Sequence, residues 1–224
     1  MSGLQVRQTR ERLGLTQQQA ARRWKVSQAY LSLLEAGRRR VPERLARQLA
    51  RAEPRLVTAL PLQLSDRAVD DLPRLLGSLG YPGFEHLAGP RTAANPAAVV
   101  LAALKASNAT ARVTEALPWV LTHFPELDWE WLVREAKLAN LQNRLGYLVS
   151  LAADLAKARN DATAVNVLKE AEMQLEEARL AKEDTLGRQV TEAERQYFRH
   201  HRPEAAAHWN LLTTLRAEDL RYAF

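Results

Sequence analysis

The chain has 224 residues, 46% of them hydrophobic and 26% charged, and no cysteine. That length suits one large domain or a small one joined to a medium one, and the missing cysteine excludes a disulfide framework, a thiol nucleophile and a thiolate zinc site. The formal net charge is +6, unevenly placed: residues 1–52 hold 12 Lys and Arg against 3 Asp and Glu, a net of +9, and the remainder carries −3.

No apolar run reaches the ~18 residues that a bilayer span needs. The opening MSGLQVRQTRER lacks the apolar stretch of a secretion signal, so the cytoplasm is the expected location. A basic module on a mildly acidic body is the charge layout of a nucleic-acid reader with a separate second task. A solubilising basic segment is the bland alternative, and it fits less well because the charges sit within a periodic apolar pattern.

In chain order, Leu4, Val6, Leu13 and Leu15 predict a short first helix, ended by Gly14. Thr16 and Gln19 predict a capping box, after which Ala20, Ala21 and Trp24 share one face. Lys25 and Val26 make a turn, and Ser27 caps the next helix. Along that helix, at 100° per residue, Leu31 and Leu34 point one way, with Tyr30 and Glu35 at the margins. Gln28, Ala29, Ser32, Leu33 and Ala36 point the other way. The second face is small and mostly polar, without the Lys or Glu fringe of an ordinary solvated face. A helix that enters a major groove needs slim residues and an amide able to pair with adenine, which Gln28 supplies. Val41 and Pro42 begin a further helix, with Leu45 and Leu49 on its apolar stripe.

The stretch RQTRERLGLTQQQAARRWKVSQAYLSLLEAGRRRVP resembles the Cro/C1-type helix-turn-helix, the XRE family, over about residues 4–52. The resemblance rests on LGLTQ, VSQ and LEAG at the matching separations. It implies a five-helix-type DNA-binding domain whose recognition helix spans Ser27 to Ala36. It places Gln17 and its helix N-terminus against a phosphate. Ser27, Gln28, Ala29 and Ser32 meet base edges or neighbouring phosphates, and Arg38, Arg39 and Arg40 grip the backbone. Arg10 and Glu35 fall where the family pairs an arginine with a glutamate, so a structural ion pair that also touches a phosphate is expected. Leu33 departs from the family's polar or basic residue; a thymine methyl and a neighbouring protein surface both remain open for it. By themselves the three loop arginines read as a solvated basic turn.

Beyond Arg55 the resemblance ends. Residues 56–64, with Leu60, Leu62 and Leu64 alternating, read as a linker that could hold a short strand. Ser65 caps a helix to Leu79, ended by Gly80. Residues 81–96, rich in Gly and Pro, read as a loop. Asn95-Pro96 opens a helix to about Ser107, and another runs from Ala109 toward His123 with a kink at Pro118. Asp128 caps one long amphipathic helix through Leu132, Ala136, Leu141, Leu145, Leu148, Leu151 and Leu155. Asp161 opens another to about Thr185, Thr191 and Glu194 form a second capping box, and a short helix sits near 217–222. The expected division is a DNA-binding domain at 1–55, the linker at 56–64 and an all-α domain at 65–224 that dimerises and receives a partner or effector. The fold class is all-α throughout.

Nothing in the second domain has the spacing of a catalytic site. His200, His201 and His208 lie near Glu192, Glu194 and Glu204, but in no metal-binding pattern. Asp70-Asp71 and Glu176-Glu177 read as solvated helix faces, and Gly77, Gly80 and Gly83 lack the strand and Lys-Ser/Thr of a phosphate loop. An enzyme, a metal and a cofactor are all unexpected. Trp119, Trp129, Trp131 and Trp209 are read first as core, and alternatively as the lining of a groove for a toxin or a small effector.

Three functions follow. The first is a dimeric repressor that acts on a palindromic operator in double-stranded DNA and on its own promoter. The second is an antitoxin that represses its operon and neutralises a toxin through the all-α domain. The third is a DNA-recruitment module of a phage or defence system.

Overall fold

A computed structural model describes residues 3, 6–7, 10, 15–45, 57–64, 69–89, 94–107, 109–220 and 222. The chain divides into two compact units, Met1–Arg55 and Leu56–Phe224. The fold is all-α, and among the described residues the one β feature is an isolated parallel bridge between Asp184 and Leu211.

In the first unit, α1 spans Gln17–Trp24 and α2 spans Gln28–Glu35. Thr16 starts α1 through a reciprocal capping box: its hydroxyl accepts the Gln19 N–H at 3.2 Å, and Gln19 Oε1 accepts the Thr16 N–H at 2.9 Å. Lys25 ends α1 in the left-handed region at φ 56°, and Ser27 caps α2 by accepting the Tyr30 N–H at 3.1 Å. Gly37, at φ 68°, ends α2 in a conformation that favours glycine. Ala20, Ala21 and Trp24 of α1 bury against Leu31 and Leu34 of α2, with Val6 and Leu45 completing the core. This is the face predicted from the 3.6-residue period. Residues 43–45 begin a further helix, and the predicted Gly14 stop and the Leu49 stripe lie outside the described residues.

The second unit contains α3 (Leu72–Ser78), α4 (Pro96–Lys105), α5 (Ala111–His123), α6 (Trp129–Leu138), α7 (Gln142–Ala158), α8 (Ala162–Glu176), α9 (Glu192–His201) and α10 (Glu204–His208). Central α7 buries Leu145, Tyr147, Leu148, Val149 and Ala152 completely and packs against α8, α5 and α6. Its Gly146 makes room for Trp209: a Cβ there would lie 2.4 Å from the indole.

Several boundaries differ from expectation. The single long helix expected from Asp128 to Leu155 is two helices, because Asn140 adopts φ 58° and closes α6. Asn is the residue that best tolerates that conformation after glycine, and Asn160 and Asn210 close α7 and α10 in the same way. The helix from Asp161 stops at Glu176, well before Thr185. Asp71 caps α3, and the predicted Ser65 cap lies outside the described residues. The predicted loop at 81–96 contains a 3-10 helix, Pro82–Leu87. α5 runs through Pro118 as one helix.

The predicted linker is not a free connector. Residues 57–59 form a 3-10 turn and no strand. Asn95, 1% exposed, donates to Thr58 O at 2.9 Å and Leu60 O at 2.8 Å, and Val57, Leu62 and Leu64 pack against the second unit's core. A buried side-chain amide needs partners, and this one finds them in the 57–60 backbone.

Candidate nucleic-acid interface

The outer face of α2 is built by what its inner face must do. With Leu31 and Leu34 fully buried, Gln28, Ala29 and Ser32 are turned outward and exposed. Leu33, between the faces, is half-buried. The exposed surface therefore consists of an amide, a methyl and a hydroxyl, none long enough to hold a groove at a distance. Ser27 is exposed too, with its hydroxyl engaged as the helix cap.

Three exposed arginines, Arg38, Arg39 and Arg40, follow directly after α2. The N–H groups of Arg38 and Arg39 both point back to Leu33 O, at 2.9 and 3.3 Å, which holds the turn close to the helix end. The Arg39 guanidinium lies over the Tyr30 ring, 5.8 Å from its centroid, a cation–π placement that restricts its swing.

Beneath this surface lies one polar cluster. Glu35 is 4% exposed along its side chain and accepts from Arg10 Nε at 2.7 Å and Arg10 Nη2 at 3.2 Å. Arg10 Nη1 also donates to Leu15 O at 3.0 Å. Gln17 Nε2 donates to Glu35 Oε2 at 2.9 Å. The cluster ties residue 10 to the start of α1 and the end of α2, so it sets the angle at which α2 is presented. The resemblance implied a Gln17 side chain facing a phosphate. The structure turns its amide inward to Glu35, because a nearly buried carboxylate has two oxygens to satisfy and Arg10 alone leaves room on one. The role of Gln17 as an orienting residue was not visible in spacing alone.

The tryptophans separate into two groups. Trp209, 1% exposed, donates from Nε1 to Ser150 Oγ at 2.9 Å. Trp119, 7% exposed, stacks on His123 at 3.8 Å and meets Tyr81 edge-on at 5.5 Å. Both belong to the interior, so neither presents a face to a partner as the groove reading required. Trp129 is half-buried and bonded to Pro125 O at 3.0 Å, and Trp131 is half-buried at the mouth of a groove.

The three histidines do not converge. His200 Nδ1 contacts Gln196 O, His201 Nδ1 contacts Tyr197 O, and His208 Nε2 lies 2.7 Å from Glu176 Oε2. Among the described residues no cluster of His, Asp and Glu could hold a metal ion, and no helix is long and apolar enough to cross a membrane.

Two short helices across a tight turn, the second with an exposed slim face, define a DNA-binding helix-turn-helix module. Residues 3–52 match the family model described as a helix-turn-helix domain, and this part of the chain is an XRE-like helix-turn-helix domain. The match addresses that domain alone. No curated protein and no solved structure matches the chain.

Proposed function

We propose that the protein is a sequence-specific transcriptional repressor that binds a palindromic operator as a dimer, its own promoter included, and acts by binding without catalysis. The observation that carries this reading is the outer face of α2, where Gln28, Ala29 and Ser32 are exposed, with exposed Arg38, Arg39 and Arg40 past the helix end. Slim polar groups on a helix suit base edges in a major groove, and arginines at its end suit phosphates, which fix register without reading sequence. Arg10, Gln17 and Glu35 support the helix from beneath. Exposed Ser27 at the start of α2 suits a base edge or phosphate, and half-buried Leu33 at its margin suits a thymine methyl or a neighbouring protein surface. One such module reads a half-site, so two copies reading half-sites ~34–36 Å apart supply operator affinity.

Footprinting on the protein's own promoter tests the proposal. Two symmetric half-sites and affinity that falls steeply with salt are expected. A single asymmetric half-site protected by a monomer overturns it.

A ligand-sensing second unit is supported by one feature. A cavity of about 480 Å³ opens between the start of α5, Phe198 of α9 and the 212–215 segment, with Thr114, Leu186 and Leu215 on its walls. That volume suits a small effector. Calorimetric screening of metabolites against the full chain, with operator affinity as the second readout, tests this role.

A further inference from the structure

The dimer proposed above requires a surface through which two copies meet, and the geometry points to the groove between α4 and α6 of the second unit, with a second copy of this chain as its occupant. The groove, about 320 Å³, is walled by Leu62, Leu64, Leu101 and Trp131. Val69, which also lines it, is 38% exposed, and Leu138, further along α6, is 73% exposed.

The pattern on α6 is directional. Leu132, Val133 and Ala136 face the core. Trp131, Glu135 and Leu138 are spaced i, i+4 and i+7, which puts them on one stripe of the opposite side. A half-buried tryptophan and a largely exposed leucine on one outer stripe leave apolar surface accessible on that side of α6. Tryptophan is among the residue types that most often carry association energy.

Charge selects the occupant. Lys105, the last residue of α4, and Glu135 of α6 stand on the rim of the same groove. Lys105 is exposed and forms no ion pair among the described residues. Among the described residues Glu135 pairs only with its chain neighbour Arg134 at 3.5 Å, itself 58% exposed, an arrangement worth little. The rim is thus self-complementary. In a two-fold interface residue i meets j and j meets i, so one axis through the groove sets each Lys105 against the partner copy's Glu135 and closes both pairs together. An acidic or basic partner of another kind would satisfy one rim charge and oppose the other.

This inference rests on the dimeric reading, and sedimentation equilibrium of the full chain, paired with operator footprinting, separates the two. The wild type is expected to dimerise at micromolar concentration. Lys105→Glu and Glu135→Lys are each expected to weaken dimerisation about tenfold or more, by setting like charges across the axis. The double variant K105E/E135K is expected to return close to the wild-type constant, because the swap regenerates both pairs. Leu138→Asp, at an exposed position that the fold does not need, is expected to weaken association without lowering the thermal midpoint. A wild-type dimer that both single variants leave intact overturns the groove and leaves the dimeric reading standing. Single variants that dissociate without rescue in the double variant overturn the reciprocal pairing. A monomeric wild type that protects one half-site overturns the groove and the dimeric reading together.

Discussion

Glu35→Ala is the most informative perturbation of the helix-turn-helix module. It removes a carboxylate that is 4% exposed and accepts three donor contacts, from Arg10 Nε at 2.7 Å, Arg10 Nη2 at 3.2 Å and Gln17 Nε2 at 2.9 Å. Arg10, 13% exposed, retains its bond to Leu15 O but loses its pair with Glu35. Breaking a buried pair from one side costs about 3–5 kcal/mol, and the surviving carbonyl contact with partial exposure places this case near 3 kcal/mol. Set against the 5–15 kcal/mol that holds a typical domain folded, that is enough to open the first unit locally. Amide hydrogen exchange over residues 15–45 of the full chain reads the change as a free energy of opening, while exchange in α7 stays constant. The paired change Arg10→Met/Glu35→Leu is expected to recover most of the loss, since apolar replacement of a buried pair is often close to neutral. A loss below about 1 kcal/mol for Glu35→Ala, or a double variant as damaged as the single, would refute the argument that this cluster sets the helix pair.

Four further outcomes are expected. Gln28→Ala costs ~1–3 kcal/mol at one operator base pair and relaxes specificity there, as read by binding to a panel of single-base operator variants; an equal loss on every sequence would make Gln28 a phosphate contact. Arg38→Ala and Arg40→Ala each weaken binding uniformly and reduce the salt slope by about 1, measured by affinity against salt concentration. Gly146→Ala forces the Trp209 indole from its seat, where a Cβ would come within 2.4–2.6 Å of three ring atoms, and lowers stability by about 1–3 kcal/mol in urea unfolding. The Arg199 guanidinium, with Arg202 beside it, holds Glu183 below its ordinary value of 4.5. Its folded pKa is depressed, so its contribution is complete above that value and lost as pH falls through the folded pKa. Exchange in α9 therefore rises on acidification below pH 4.5, and Glu183→Gln reduces that step, leaving the part due to Glu194, which the Thr191 N–H of the α9 capping box also holds below its ordinary value.

The parts of the fold that the sequence expressed were those decided by local chemistry. Thr16 with Gln19 and Thr191 with Glu194 are capping boxes because a hydroxyl three residues ahead of an acceptor side chain can satisfy two backbone donors without help from elsewhere. The inward set Ala20, Ala21, Trp24, Leu31 and Leu34 followed from periodicity alone. Asn140 was missed because asparagine in a left-handed turn looks, in sequence, like one polar residue on an exposed helix face. An Asn two residues beyond a helix end recurs at Asn160 and Asn210, and that repetition was the available signal. Gln17 and Asn95 were illegible for a different reason. Their partners, Glu35 and the carbonyls of Thr58 and Leu60, lie 18, 37 and 35 residues away in sequence, and only the folded chain brings them together. Trp131 and Trp209 are the same residue type with opposite placements, separated by Gly146, whose missing side chain makes an interior seat for one of them.

The helix-turn-helix module and the rim charges of the second unit place different demands on the same chain. The exposed face of α2 formed by Gln28, Ala29 and Ser32 carries no long charged side chain, and positive charge lies in Arg38, Arg39 and Arg40 beyond the helix end. In the proposed function base readout and phosphate attraction are carried by separate residues, so a change at one should leave the other intact. Glu35 is the exception: it is the one acidic side chain on α2, and it is neutralised from within by Arg10 and bonded by Gln17. An unpaired carboxylate at that position would oppose the phosphate contacts proposed for the neighbouring arginines. The cluster therefore has an electrostatic effect besides its mechanical one, and the two can be told apart. Glu35→Gln removes the same charge as Glu35→Ala but keeps an acceptor, so it should disturb the helix angle less while changing the salt slope of binding as much.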